Sequence, residues 1–330
     1  MTMEYRQLGS SGLKVSSLSL GTMTFGRESD EASAREILAV ALDAGVNFVD
    51  TANTYANGAS ETLLGKLLHG KRENLVLATK FGNPTGQGPN ERGASRLHVM
   101  NAVNESLRRL QTDYIDLYYV HHIDPVTPAE ETLAALDALV TQGKVRYIAC
   151  SNYEAWRLVD SLWTSRTRGF ERFIAHQAQY NLLVRDIEDE LVPAALGHDV
   201  GLVIWGPLAG GLLTGKYGAE PGTLPNTRSD GKGQGFSNRL PYLVRNASEV
   251  VEKLLARSAE IDRLPGAVAI QWLLSKPAVS SVVIGARSAE QASQNIQEAV
   301  APVPQSILAE LDTLSSPPMR YPKDFEFARR

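Results

Sequence analysis

Short apolar runs alternate with longer segments of helical period over nearly the whole chain, and this constrains the fold more than any other feature. The runs fall at 18–20, 47–50, 75–80, 115–120, 145–150, 174–178, 202–205 and 281–284. Short apolar runs fit strands buried on both faces, and an intervening helix is what parallel pairing needs to carry the chain back. The helix signals between them are local. Asp30 is placed to cap a helix with Ile37, Leu38, Ala41 and Leu42 on one face, and Gly45 to end it in a left-handed turn. After Ser95, the residues Val99, Val103, Leu107 and Leu110 form one stripe. Thr127, Pro128 and Glu130 read as a capping box with proline at the first helical position, ahead of Leu133, Leu136 and Val140.

Eight β/α units in 330 residues predict an α/β protein with a single (β/α)8 TIM barrel as one domain over 1–330; a doubly wound open sheet is the alternative. An N-terminal β-hairpin turning through Gly9-Ser10-Ser11-Gly12 precedes the barrel. A long irregular stretch at 206–246, holding nine glycines, follows strand 7 on the face where barrel active sites lie.

Lys and Arg number 33 against 37 Asp and Glu, so a net charge of -4 provides no field to draw in nucleic acid or an anionic membrane. No stretch approaches the roughly 18 apolar residues of a membrane span, and the start lacks the basic-then-apolar pattern of a signal peptide. Cys150 is the only cysteine, which excludes an intrachain disulfide and fits a reducing compartment. A soluble cytoplasmic protein acting on a small molecule is expected, with no nucleic-acid or membrane partner. Its oligomeric state is not written in the sequence.

In this reading Asp50, Lys80 and His121 fall at the carboxyl ends of consecutive strands, and Tyr55 lies in the loop after Asp50. They should converge on one pocket. A phenol titrating near ~10 donates a proton poorly at neutral pH unless a cation stabilises the phenolate. Lys80 is a suitable cation, and Asp50 is the carboxylate that would keep it charged when desolvated. His121 can hold a substrate carbonyl oxygen within reach of the phenol. The set suits carbonyl reduction.

At these residues the sequence resembles the aldo-keto reductase superfamily, in the branch of bacterial reductases and potassium-channel β subunits. The resemblance is carried by Asp50-Thr51-Ala52-Asn53-Thr54-Tyr55, Ser60-Glu61, Leu64-Gly65, Thr79-Lys80, and Asp116-Leu117-Tyr118-Tyr119-Val120-His121. It continues through Ser151-Asn152, Gln177, Tyr180-Asn181-Leu182-Leu183, the glycine-rich start at Gly206, and Gly285-Ala286-Arg287. It implies a catalytic tetrad of Asp50, Tyr55, Lys80 and His121, with NADPH/NADP+ as cofactor and an aldehyde or ketone as substrate. Ser151, Asn152 and Gln177 would bind the nicotinamide carboxamide, and Trp205 would stack on the ring. Gly206, Pro207, Leu208, Gly210 and Lys216 would wrap the pyrophosphate. Gly285, Arg287, Gln291 and Asn295 would meet the adenosine phosphate. Ala56 departs from the glycine common after the tyrosine, and Cys150 from a frequent glycine. A cofactor-binding regulatory subunit with little turnover is the alternative function.

Two other chemistries are set aside. Gly210 to Lys216 matches the Gly-x4-Gly-Lys of a P-loop, but Tyr217 stands where magnesium needs Ser or Thr. No metal is expected, since ligand spacing is lacking, and His121 and His122, as neighbours on an extended strand, should point in different directions.

Overall fold

A computed structural model describes residues 2–216 and 246–327. The predicted hairpin forms from β1 (Tyr5–Gln7) and β2 (Lys14–Ser16), paired antiparallel. Its turn requires glycine: Gly9 has φ 57°, and a Cβ there would lie 2.2 Å from the carbonyl oxygen of Ile174. The hairpin is pressed that closely against the barrel.

Eight parallel strands follow: β3 (Leu18–Gly21), β4 (Phe48–Asp50), β5 (Val76–Phe81), β6 (Ile115–Val120), β7 (Val145–Ser151), β8 (Phe173–Gln179), β9 (Gly201–Trp205) and β10 (Val279–Ile284). They pair in chain order and close through β10 on β3, so the sheet is the predicted TIM barrel and not an open one. Helices α1 (Glu31–Asp43), α2 (Ala59–Leu67), α3 (Arg96–Leu110), α4 (Ala129–Thr141), α5 (Ala155–Arg168) and α6 (Leu191–Gly197) follow β3 to β8 in turn. Helices α7 (Ala247–Glu260) and α8 (Pro265–Leu274) precede β10, and α9 (Ala289–Val300), α10 (Gln305–Leu314) and α11 (Lys323–Phe327) follow it. Among the described residues no helix is long and apolar enough to cross a membrane.

The caps at α1 and α3 are those predicted: Asp30 accepts from the Ser33 N–H, Ser95 from that of His98, and Gly45 follows α1 at φ 87°. The capping box before α4 does not form. Pro128 is the cap residue, so α4 starts one residue later than expected, without a side-chain cap bond. Thr127 donates instead to Asp124, whose carboxylate also accepts the N–H groups of Val126 and Thr127. A carboxylate two or three residues upstream satisfies the turn locally, and the hydroxyl is drawn to it.

Strand parity explains where the site must lie. Alternate residues of a strand face opposite sides, and the barrel lumen is filled by Phe48, Val76, Ala78, Leu117, Tyr119, Ala149, Ala175 and Val203, with Leu8 and Val15 from the hairpin region at its floor. Two residues beyond the last of these on each strand come Asp50, Lys80, His121, Ser151, Gln177 and Trp205. One lumen-facing register is thus apolar at the amino end and polar at the carboxyl end. The opposite register packs outward against the helices.

Candidate active site

The lumen-facing polar residues form one connected group. Lys80 is fully buried, and its Nζ donates to Asp50 Oδ1 at 2.5 Å, to the Thr51 carbonyl at 2.8 Å and to the Tyr55 hydroxyl at 3.3 Å. Asp50 Oδ2 accepts from Gln177 Nε2 at 2.8 Å, so both carboxylate oxygens are engaged. Breaking such a buried pair by removing one partner costs about 3–5 kcal/mol, because the other charge is stranded.

Tyr55 is brought to Lys80 by a tight turn at Tyr55–Gly58, in which Ala56, Asn57 and Gly58 are left-handed at φ 49°, 53° and 88°. Ala56, standing where the resemblance leads one to expect glycine, keeps that conformation at a cost of about 1–2 kcal/mol. The turn runs into α2, which is pinned beneath it. The Ser60 hydroxyl donates to the Thr22 carbonyl, and buried Glu61 accepts from Thr79, the neighbour of Lys80, and from Arg109.

Burial pulls the Lys80 ammonium toward neutrality, but Asp50 and then Tyr55 outweigh it, and its pKa lies above the ordinary lysine value. Burial raises the Tyr55 phenol above its ordinary value; Lys80 pulls it back in part, and Asp50 pushes it up again. Lys80 thus acts in the expected direction, though burial and Asp50 together outweigh it. Tyr55 holds its proton, and Lys80 limits the cost of losing it.

His121 lies just past the end of β6, its ring edge-on to Tyr55 with centroids 6.0 Å apart. Burial, then the charges of Lys80 and His122, depress its pKa to about 2, so the ring is neutral. The expectation that His121 and His122 diverge is overturned: their rings stack at 4.9 Å and 9°. Alternation applies only within a strand, and β6 stops at Val120. Among the described residues no group of three His, Cys, Asp or Glu side chains could hold a metal ion.

The residues expected to hold a cofactor are partly engaged with one another. Asn152 Nδ2 donates to the His121 carbonyl and to Ser151 Oγ, its Oδ1 accepts from the Trp205 indole at 3.2 Å, and Ser151 Oγ donates to the Gln177 carbonyl. Gln177 sits against Asp50. Gly206, Gly210 and Gly211 are left-handed, whereas Pro207 is buried and Leu208 packs on the core. Lys216 is exposed at the end of this described segment; 217–245, the remainder of the predicted loop apart from Asn246, lies outside the described residues. Gly285 and Arg287 are exposed just before α9, and Asn295 is half-buried on it. Gln291 is used locally, its Oε1 accepting from the Arg287 N–H.

Sequence reasoning missed three contributors: the Thr51 carbonyl, the Trp205–Asn152 bond, and Asn83, whose Nδ2 lies 3.2 Å from His121 Nδ1. Trp205 itself was expected at the site, but not its bond to Asn152. Asn83 is in a loop and left no periodic signal.

A model of the aldo/keto reductase family matches residues 17–316. The chain is 38% identical over 324 residues to "Uncharacterized oxidoreductase YrpG" of Bacillus subtilis (strain 168), covering 94% of this chain and 96% of the relative. It is 36% identical over 304 residues to a "Probable voltage-gated potassium channel subunit beta" of Arabidopsis thaliana, covering 89% and 90%. It is 35% identical over 304 residues to the "L-glyceraldehyde 3-phosphate reductase" of Escherichia coli (strain K12), covering 89% and 87%.

Proposed function

As the chain belongs to the aldo/keto reductase family, we propose that it reduces aldehydes or ketones to alcohols with NADPH, Tyr55 giving the proton. The observation that carries this reading is the buried ammonium of Lys80, held between Asp50 and the Tyr55 hydroxyl. Proton donation leaves a phenolate, and a cation 3.3 Å from that oxygen lowers the cost of forming it. Asp50 keeps the cation charged, and Gln177 orients Asp50. His121, neutral and beside Tyr55, can hydrogen-bond the carbonyl oxygen without competing for its proton.

The donor set suits a nicotinamide dinucleotide. The indole of Trp205 stands half-buried at the lumen mouth, Asn152 and Ser151 offer amide and hydroxyl groups beside it, and exposed Arg287 stands at the start of α9, where a phosphate is favoured. When bound, the reduced nicotinamide supplies the hydride. Asn152, Ser151 and Gln177 would orient its carboxamide by sharing hydrogen bonds they now make to each other. Gly206, Gly210, Gly211 and Lys216 would face the pyrophosphate.

Loss of reduced-nicotinamide absorbance against a panel of aldehydes and ketones tests this. Wild type should turn over at least one of them, and Tyr55→Phe should bind cofactor yet lose about 10²–10⁴ in rate, the usual worth of general acid catalysis. Unaltered turnover in Tyr55→Phe ends the mechanism. The similarity to potassium-channel β subunits favours a second reading, a cofactor-binding regulatory subunit, which tight NADPH binding without turnover on any carbonyl would support.

A further inference from the structure

We infer that Asn83 is a positioning residue that fixes the tautomer of His121 and so makes that ring a hydrogen-bond donor in the site. The backbone sets the pair up from both sides. The His121 N–H donates to the Phe81 carbonyl at 2.8 Å, so the chain leaving β6 is bonded to the last residue of β5. Gly82 then turns at φ 113°, and its carbonyl accepts from the Gly93 N–H at 2.8 Å, which closes the loop at its base. Asn83, half-buried and next in the chain, is thereby returned to the His121 ring, with its Nδ2 3.2 Å from Nδ1.

The amide nitrogen can only donate, so Nδ1 accepts. A neutral imidazole carries one proton, which is then on Nε2. Burial, and then the nearby Lys80 ammonium, keep it neutral. The groups facing it are the Lys80 ammonium and the Tyr55 phenol below and His122 stacked alongside, while Asn152 Nδ2 holds the His121 carbonyl. With the opposite tautomer, Nε2 would present a lone pair to the oxygen of a carbonyl substrate. The pair would repel where it should bond.

The kinetic consequence rests on the reductase reading above; the tautomer itself does not. Protein labelled with nitrogen-15 in histidine, examined at mildly alkaline pH, reports the protonated nitrogen of each ring, and His121→Asn identifies the His121 signals. Wild type should show Nε2–H. Asn83→Asp, which substitutes an acceptor for the donor, should show Nδ1–H, and Asn83→Leu should show both forms. The NADPH dissociation constant should stay within about twofold in each, whereas kcat should fall about 10²-fold in Asn83→Asp, as when one donor to a reacting oxygen is lost. An Nδ1–H pattern in wild type, or no change of pattern in Asn83→Asp, overturns the inference. The expected patterns without carbonyl turnover in wild type would sink the reductase reading and leave the tautomer assignment standing.

Discussion

The indole N–H of Trp205 donates to the side-chain oxygen of Asn152 at 3.2 Å, linking the end of β9 to the residue after β7 across the intervening β8. Asn152 is left-handed at φ 58° and also bonds the His121 carbonyl, so one indole steadies both an amide of the proposed cofactor site and the backbone next to the His121 ring. NADPH titrated into the protein should quench tryptophan emission, and Trp205→Leu should remove most of that effect. Trp156 and Trp163 are more than half exposed on α5, and Trp272 is buried on the inner face of α8, so none of them should report binding. Trp205→Phe keeps a ring and deletes the donor, and its NADPH dissociation constant should rise about five- to tenfold, the worth of about 1 kcal/mol. Quenching that persists in Trp205→Leu would remove Trp205 from the site.

Lys80→Met should slow reduction by about 10²–10⁴, and its pH profile separates the proposed relay from general damage. In wild type the Tyr55 phenol, raised above 10.0, stays protonated through neutral pH, and reduction should decline only in the alkaline range as the proton is lost. Removing Lys80 deletes the influence that lowers this pKa and leaves burial and Asp50, which raise it. The alkaline limb should therefore move upward. Asp50→Asn combined with Lys80→Met avoids a stranded carboxylate if the single variant folds poorly. An alkaline limb at the same pH in wild type and variant would contradict the relay.

Much of this arrangement was legible in the sequence because the barrel repeats one rule. Asp50, Lys80, Ser151, Gln177 and Trp205 each lie at or near the carboxyl end of a strand in the lumen-facing register, so finding the strands placed the side chains. What escaped was set by loops. Asn83 reaches His121 through the Gly82 turn, His122 stacks on its neighbour because β6 has ended, and Thr127 turns to Asp124 instead of capping α4. None of these contacts has a period, and each is a competition among nearby groups that residue types alone do not decide.

The left-handed Ala56 offers a stability test. Relief of the Cβ clash is about 1–2 kcal/mol, and the extra freedom glycine gives the unfolded chain returns about 0.4–1 kcal/mol of it. Ala56→Gly should therefore raise the urea midpoint by an amount equivalent to roughly 0.5–1 kcal/mol. A lower midpoint would show that the Ala56 methyl makes contacts worth more than the strain.

His176 ties stability to pH. It is fully buried on β8 with Nε2 accepting from the Tyr153 N–H, and burial lowers its pKa from 6.5 to about 4. Between those values the unfolded chain binds a proton that the folded protein does not, so stability falls as pH falls through this window. At about 1.4 kcal/mol per unit, the full window is worth about 3 kcal/mol. His121 adds a slope of the same sign. His176→Gln should flatten the acid limb of urea-unfolding stability below pH 6.5; an unchanged slope would mean that His176 does not titrate with unfolding.

Selection of NADPH over NADH is proposed to rest on Arg287, because the two cofactors differ only by a phosphate on the adenosine ribose. Arg287 is exposed immediately before Ser288, the cap of α9, and its N–H is held by the Gln291 side chain. A guanidinium there can bond a phosphate bidentately while the helix N-terminus adds positive field. One hydrogen bond to a charged group contributes roughly 1.5–3 kcal/mol, so Arg287→Ala should weaken NADPH binding about 10–100-fold. NADH lacks the phosphate, and its dissociation constant should stay within about threefold, since no charge-assisted bond is lost. The salt dependence of NADPH binding should also weaken, as one compensating cation is gone. Gln291→Ala removes the acceptor that holds the Arg287 backbone, and should give a smaller loss of the same selectivity. Equal losses for NADPH and NADH in Arg287→Ala would mean that the residue supports the start of α9 and does not read the phosphate.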